Sequence, residues 1–180
     1  PDTAAGLAQL PGIGGYTGRR AIGYAKRLLA KTRYETVVYV ACQNDFMGSR
    51  GGGDWTRGAE ETLRDLAALQ KAFPCRIGVL LHTYLEYNLA DLLQRKGWSA
   101  EWIGKTAALR QIMPQACRGH GFAYTDWSDA VAAYRQRETS VFAAFGLYSD
   151  QCHLSRRGNE LAAEQIAAWL GPSPTGTASP

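Results

Sequence analysis

The chain has no uninterrupted run of about 20 apolar residues, the length that a helix needs to cross the hydrocarbon core of a bilayer. This absence excludes an ordinary membrane-spanning helix, so we predict a protein without a membrane span. No secretory leader is recognisable before the first motif. Because the sequence starts at Pro1 rather than at methionine, it leaves localisation and export open.

Cysteines are few and widely separated. The four of them, Cys42, Cys75, Cys117 and Cys152, lack the close spacing of a zinc knuckle or of a redox Cys-x-x-Cys pair. Cys42 and Cys75 adjoin strand-like runs, where a free thiol behaves as a small buried hydrophobe. A chain of 180 residues can build a sufficient core without disulfides, so none is required by its size.

An excess of charge of one sign is also missing. The 20 lysines and arginines are interleaved with 16 acidic residues, which leaves a net charge of +4. The densest basic segment, residues 19–33, follows the spacing of a solvated helix face rather than that of a phosphate-binding stripe. We therefore predict no nucleic-acid partner.

What the sequence does contain is an alternation of strand-like and helix-like segments. Valine-rich residues 36–42, apolar residues 77–81 and the short run 122–126 are typical of buried parallel strands. This order predicts an α/β protein with three α/β/α layers around a parallel sheet, in one domain. The helical periods fall at residues 17–31, 56–73, 86–95, 100–116, 128–136 and 155–170.

Two polar or glycine-rich segments lie where such a sheet places its ligands. Asn44 and Asp45 directly follow the 36–42 strand, and open α/β sheets bind ligands at the carboxyl ends of their strands. The Asn44 amide can donate to a developing oxyanion, whereas Asp45 is expected to brace the loop. The glycine loop 12–17 precedes a helix, and the Gly15 N–H can approach the same oxygen because no Cβ obstructs it.

A third segment carries a histidine three residues after an aspartate. Asp150 and His153 lie just before Leu154-Ser155, where the last helix is predicted to begin, so one tight loop can hold both side chains. A carboxylate beside an imidazole fixes its tautomer and stabilises its protonated form, as a general base requires. We predict that His153 is a base and that Asp150 orients it.

Together, the glycine loop 12–17, the block Gln43-Asn44-Asp45 and the block Asp150-x-x-His153 resemble, in order and spacing, three motifs of the SGNH or GDSL hydrolases. The resemblance covers residues 10–170. It implies a flavodoxin-like parallel sheet within an SGNH-like domain, residues 1–170, followed by a disordered tail, residues 171–180, rich in Gly, Pro, Ser and Thr.

The resemblance also implies a function. It indicates a serine esterase or lipase-like enzyme that hydrolyses or transfers an O-acyl or O-acetyl group, with a lipid, a carbohydrate or a small molecule as the ester. His153 would be its base, Asp150 the orienting acid, and Gly15 with Asn44 its oxyanion hole. Neither a metal nor an organic cofactor is implied.

The Gly-Asp-Ser block that carries the nucleophile of this family occurs nowhere in the sequence. We expect the serine to lie upstream of Pro1, the first strand to be missing with it, and the 180-residue chain to be inactive and to expose an unpaired sheet edge. Neither Ser49 nor Ser149 lies on the strand-to-helix turn that an activated serine occupies. Gln43 replaces a usual glycine, and Leu10-Pro11 stands where an asparagine usually precedes the glycine loop, which affects loop shape and substrate choice.

Several aromatic side chains adjoin these segments. Tyr16, Phe46, His82 and Tyr84 are predicted substrate contacts, since aromatic rings can stack on a sugar or pack on an acyl chain. Aromatic residues near such motifs are more often part of a core.

Two alternatives stay open at this point. Gly12-x-Gly14-x-x-x-Gly18, followed by a helix and a strand that ends near Asp45, is similar to half of a dinucleotide-binding unit, although Pro11 stands where an apolar strand should enter. A chain without a nucleophile also suits a noncatalytic relative that binds an acylated sugar or another protein.

Overall fold

The computed structural model describes residues 18–47, 54–93, 98–140 and 142–170. Within these residues the chain is a mixed α/β protein with one sheet of three parallel strands, which lie side by side in the order of the sequence. This confirms the α/β class and the parallel sheet. The glycine loop 12–17 and the tail 171–180 lie outside the described residues.

The strands are β1 (Thr36–Cys42), β2 (Arg76–His82) and β3 (Ala123–Asp126), close to the predicted runs. Thr36 pairs with Arg76 and Cys42 with His82, so β1 and β2 begin and end at the same level. The carboxyl ends of these two strands therefore open at one edge of the sheet, where ligand sites of open α/β sheets are found.

Burial differs sharply between the central strand and its neighbour. Residues 77–81 of β2 are all buried, because helices cover both faces and strands pair on both sides. β1 pairs only with β2 among the described residues, and its Val40 side chain is 50% exposed. An apolar residue so exposed on an edge strand marks surface that the described residues leave uncovered.

The longer helices follow the predicted periods within a few residues. The helices are α1 (Gly18–Leu29), α2 (Gln43–Met47), α3 (Trp55–Ala72), α4 (Leu85–Asn88), α5 (Ala90–Leu93), α6 (Trp98–Gly119), α7 (Trp127–Arg137) and α8 (Arg156–Leu170), with a 3₁₀ turn at Ala143–Leu147.

The main differences from prediction are local. No helix was predicted between the 36–42 strand and residue 56, but residues 43–47 form α2. The expected helix 86–95 is divided into two single turns, and α6 continues past Pro114 to Gly119. The 3₁₀ turn that precedes Asp150 and His153 was not predicted, because a segment of five residues is too short to show a helical repeat of apolar residues.

Two hydrophobic cores lie on opposite faces of the sheet. Val79 and Leu81 of β2 point into the first core, with α1, α3 and α6, while Leu80 points into the second, with α7, α8 and the 3₁₀ turn. Strand side chains alternate between the faces, so one strand supplies both cores. Helices on both faces of the sheet hold the strand ends in fixed positions.

Candidate active site

The loop Tyr148–Leu154 carries Asp150 and His153, and backbone hydrogen bonds close it at its base. Tyr148 and Leu154 form an antiparallel bridge, and the Ser149 N–H donates to the His153 carbonyl at 2.9 Å. Ser155 then caps the start of α8, because its Oγ accepts from the Gly158 N–H at 3.1 Å. The loop is thus held at both ends before any side chain is considered.

Asp150 and His153 form a direct pair. The Nδ1 atom of His153 lies 2.7 Å from Oδ2 of Asp150, while Oδ1 accepts the N–H groups of Cys152 and His153 at 2.8 Å each. The His153 side chain, followed by these two N–H groups, holds the pKa of Asp150 well below its usual range. The ionised carboxylate therefore favours the tautomer with hydrogen on Nδ1, and this leaves Nε2 as an acceptor.

The pair faces solvent. The side chains of Asp150 and His153 are 53% and 70% exposed, so a substrate can reach the imidazole without any rearrangement of the protein. An oriented imidazole whose Nε2 is an acceptor can remove a proton from a hydroxyl group and return it to a leaving alcohol, which is general acid–base chemistry.

A buried hydrogen-bond network fixes the loop to the exit of β2. The Tyr148 hydroxyl accepts from Asn88 Nδ2 at 2.5 Å and from Trp127 Nε1 at 2.9 Å, and it donates to the Thr83 carbonyl at 3.4 Å. Nearby, the Leu85 N–H donates to the Gln151 carbonyl at 3.0 Å. Each buried polar group is satisfied by another, and such networks rigidify the segments that they join.

His82, at the end of β2, lies near this pair. Its ring is half-buried, and its Nε2 atom is shielded from solvent with no hydrogen-bond partner among the described residues. Burial, and to a smaller degree the nearby His153, lower the pKa of His82 to about 4. His82 is therefore neutral near pH 7, and it does not oppose a positive charge on His153.

Tyr84 continues the same strand exit. Its ring centroid lies 5.9 Å from that of His82, and its hydroxyl lies near the side chain of Cys42 on the neighbouring strand. His82 and Tyr84 thus lie side by side at the exit of β2, near the loop that carries His153.

Asp45 occupies the exit of β1 in a different way. Its Oδ2 accepts the Cys42 N–H at 2.9 Å, and only 8% of the residue is exposed. Burial raises the pKa of Asp45 to about 6, even though the hydrogen bond from Cys42 lowers it. The carboxylate ties the strand end to α2, the bracing arrangement that the sequence predicts.

The remaining predicted residues are placed as follows. Asn44 belongs to α2, directly after β1, but its side chain is outside the described part of the chain. Gly15 and Tyr16 are also outside it. Phe46 has no exposed surface and packs in the first core, so it presents none to a ligand in this structure.

α1 starts directly against the Asp45 end of the sheet. A Cβ built on Gly18 would lie 2.7 Å from the Tyr39 hydroxyl and 3.4 Å from the Asp45 Cβ. Only glycine permits this close approach without a shift of the neighbours. The chain thus enters α1 beside the residues that follow β1.

Sequence reasoning missed Cys152. Its Sγ lies 3.4 Å from Nδ1 of His153, the nitrogen that Asp150 also engages. Burial and then the charge of Asp150 raise the pKa of Cys152 to about 11, so the thiol is protonated at neutral pH and is no ready nucleophile. Its adjacency to His153 was the only signal. The Ser149 hydroxyl donates a hydrogen bond to the His153 carbonyl at 3.2 Å, so its partner is a backbone group and not the imidazole ring.

The exit of β3 is occupied by an ion-pair cluster. Arg110 of α6 donates to Asp126 at 2.6 Å and to Asp129 at 2.6 Å. The second Asp126 oxygen accepts the Ser128 N–H at 2.8 Å and caps α7. These carboxylates join α6 to α7 through Arg110. The candidate functional groups therefore lie at the ends of β1 and β2 and on the loop that carries Asp150.

No protein-family model matches the chain, and no curated protein matches it. Among the described helices, none is both long and apolar enough to cross a membrane.

Proposed function

We propose that this protein is an ester hydrolase or acyl transferase of the SGNH type that acts on an O-acyl or O-acetyl ester. The observation that carries the proposal is the solvent-facing pair of Asp150 and His153, joined by a 2.7 Å contact between Oδ2 and Nδ1. The parallel sheet, in which β1 and β2 end at the same level, supports a flavodoxin-like SGNH fold.

The proposed reaction uses His153 twice. Its Nε2 takes the proton of a serine hydroxyl while the serine oxygen attacks the ester carbonyl carbon, and the Asp150 carboxylate stabilises the imidazolium. When the tetrahedral intermediate collapses, the bond to the alcohol breaks and His153 returns the proton to that alcohol. Water then releases the acyl group by the same steps, or a second alcohol accepts it in a transferase.

The Gly15 N–H and the Asn44 amide are proposed to stabilise the oxyanion. Asn44 immediately follows β1, the strand whose end pairs with His82, so its position in the chain suits this role. The serine is proposed to come from residues encoded before Pro1, since no Gly-Asp-Ser block is present in the sequence.

The test compares the 180-residue chain with one extended by the residues that its gene encodes immediately before Pro1. We expect the extended chain to hydrolyse p-nitrophenyl acetate and to label with a fluorophosphonate, and the 180-residue chain to do neither above a His153→Ala control. Labelling of a serine within the 180 residues, such as Ser49 or Ser149, would contradict the upstream serine. Failure of both chains would refute the esterase.

One observation favours a second candidate, a noncatalytic protein that binds an acylated carbohydrate: the sequence supplies a base and no nucleophile block. Calorimetry with acetylated oligosaccharides distinguishes the two, because binding without turnover by the extended chain would favour the second candidate. The dinucleotide alternative loses support, since Asp45 is buried and bonded to the Cys42 N–H and is not free to bind a ribose.

A further inference from the structure

Asp150, Cys152 and His153 bring three different metal-ligating atoms together on one loop. A carboxylate oxygen, the Sγ atom and an imidazole nitrogen all lie within 4.8 Å of one another. Nδ1 of His153 is 2.7 Å from Oδ2 of Asp150 and 3.4 Å from Sγ of Cys152. The proposed reaction uses the carboxylate and the imidazole but gives the thiol no role.

Two of the three separations can be compared with the edges of a tetrahedral zinc site, and the third, between Sγ and the carboxylate oxygen, is at most 4.8 Å. With usual Zn–N, Zn–O and Zn–S bond lengths, ligand nitrogen and sulfur lie about 3.6 Å apart, and nitrogen and oxygen about 3.4 Å apart. The observed separation of Nδ1 from Sγ, 3.4 Å, already fits. The separation of Nδ1 from Oδ2, 2.7 Å, must increase by about 0.7 Å. A small rotation of either exposed side chain provides that increase.

The loop prepares the ligands in advance. The N–H groups of Cys152 and His153 hold Oδ1 of Asp150, so Oδ2 is the oxygen left to bind an ion. Hydrogen bonds to the non-ligating atom of a carboxylate orient ligands in established metal sites. The bridge between Tyr148 and Leu154 and the Ser149 bond to the His153 carbonyl fix the backbone that carries the three side chains.

The donor set indicates the kind of ion. Thiolate and imidazole donors favour Zn²⁺ over Mg²⁺ or Ca²⁺, which prefer oxygen alone. The 53% and 70% exposure of Asp150 and His153 leaves room for a water molecule as the fourth ligand.

We propose that Asp150, Cys152 and His153 form a Zn²⁺-binding site, in which the ion takes Oδ2, Sγ and Nδ1. The Cys152 thiol releases its proton to solvent when its sulfur binds the ion. When Zn²⁺ binds Nδ1, the hydrogen on that nitrogen leaves to solvent as a proton and Nε2 takes up a proton from solvent, so the neutral ring keeps no unprotonated nitrogen with which to act as a base. If the proposed esterase function holds, on which this consequence rests, bound zinc reversibly blocks the catalytic base.

The experiment measures metal binding by the metal-free 180-residue chain. In competition with a chromophoric chelator we expect one Zn²⁺ to bind, and we expect Cys152→Ser and Asp150→Ala each to weaken binding by more than about tenfold. Cys42→Ser is the matched control, because Cys42 is the other partly exposed cysteine, and it should bind as the wild type does. Circular dichroism of each variant verifies that it is folded.

Cobalt gives a second readout that needs no variant to fold. Co²⁺ bound to the wild-type chain should show thiolate-to-cobalt charge-transfer absorption in the near ultraviolet, and Zn²⁺ should displace it. A wild-type chain without this band, or a folded Cys152→Ser variant that binds Zn²⁺ as tightly as the wild type, would overturn the proposal. Ester hydrolysis enters neither readout, so failure of the proposed function and failure of the metal site are distinguishable.

Discussion

Two aspartates mark the two sides of the candidate site, and their surroundings are opposite. Asp150 is exposed, accepts hydrogen bonds from His153 and two N–H groups, and has a lowered pKa. Asp45 is buried, accepts the Cys42 N–H, and has a pKa raised to about 6. The same side chain thus serves as a permanent charge in one region and as a readily neutralised brace in the other. The surroundings of each aspartate, rather than the residue type, distinguish Asp150, which has a proposed chemical role, from Asp45, which has a structural one.

The largest expected effect concerns the exposed pair. In the hydrolytically active chain, His153→Ala or Asp150→Asn should lower kcat by about 10³- to 10⁴-fold, because the base is lost or its tautomer is no longer fixed. Asp45→Asn should change kcat far less. Steady-state kinetics with p-nitrophenyl acetate make the comparison, and equal losses from Asp150→Asn and Asp45→Asn would show that the two regions do not differ as described.

Asn44 should come next. Asn44→Ala is expected to lower kcat by about 10²- to 10³-fold, the usual cost of one oxyanion-hole donor. The neighbouring Asp45→Asn variant is its matched control, because it alters the same turn of α2. A change in KM alone would assign Asn44 to substrate binding.

The buried Asp45 makes a prediction about stability. Its pKa is about 6 in the folded protein against an ordinary 3.8. Asp45 therefore adds most to the free energy of unfolding at acid pH, and this contribution is lost as the pH rises through 6. His82 acts in reverse: its pKa is about 4 against 6.5, so its contribution is full above pH 6.5 and is lost as pH falls through 4. Each contribution is at most about 3 kcal/mol.

Because these two contributions oppose each other, they should largely cancel in the wild type between pH 6.5 and 4. Asp45→Asn should therefore lose stability on acidification, His82→Gln should gain it, and Glu60→Gln, at an exposed carboxylate of α3, should follow the wild type. Urea unfolding at several pH values measures this. If the unfolding free energy of all four proteins changed with pH in the same way, both the raised pKa of Asp45 and the lowered pKa of His82 would be contradicted.

The smallest effect tests whether the Asp150 loop can be moved without disturbing Asp45. A Cβ on Gly158 would collide with the carbonyl of Leu147, directly before the loop. Gly158→Ala should cost about 1–3 kcal/mol of unfolding free energy and lower kcat, while the pH dependence due to Asp45 should remain. Gly104→Ala, at an open position in α6, is the control. A Gly158→Ala variant with normal kcat would show that α8 does not position the loop.

The features that could be predicted from the sequence are those that depend on residues close together in the chain. Runs such as Thr36–Cys42 have the valine content of buried strands, and the structure has β1 at those bounds. The closeness of Asp150 and His153 also follows from their spacing, since three residues on a tight loop cannot separate them far.

Sequence could not anticipate contacts between distant segments. The Tyr148 hydroxyl meets Asn88 and Trp127 only because α4 and α7 pack beside the loop, and nothing near Tyr148 in the chain records this. Phe46 was expected to contact substrate because it follows a motif, yet the turn of α2 directs it into the first core. The direction of a side chain after a strand depends on a local helix that five residues encode only weakly.

The hairpin-like closure of the Tyr148–Leu154 loop has a consequence for how the site forms during folding. The Asp150–His153 pair spans three residues, so closing it costs little chain entropy, and it can form before the sheet is complete. Asn44, the proposed oxyanion donor, can approach the pair only through pairing of β1 with β2 and packing of the loop on Tyr148. Hydrogen exchange should accordingly find the amides of the loop protected only to the extent that the Tyr148 network is intact. Asp150 and His153 are thus a local unit, whereas their alignment with the proposed oxyanion donor is a property of the whole domain.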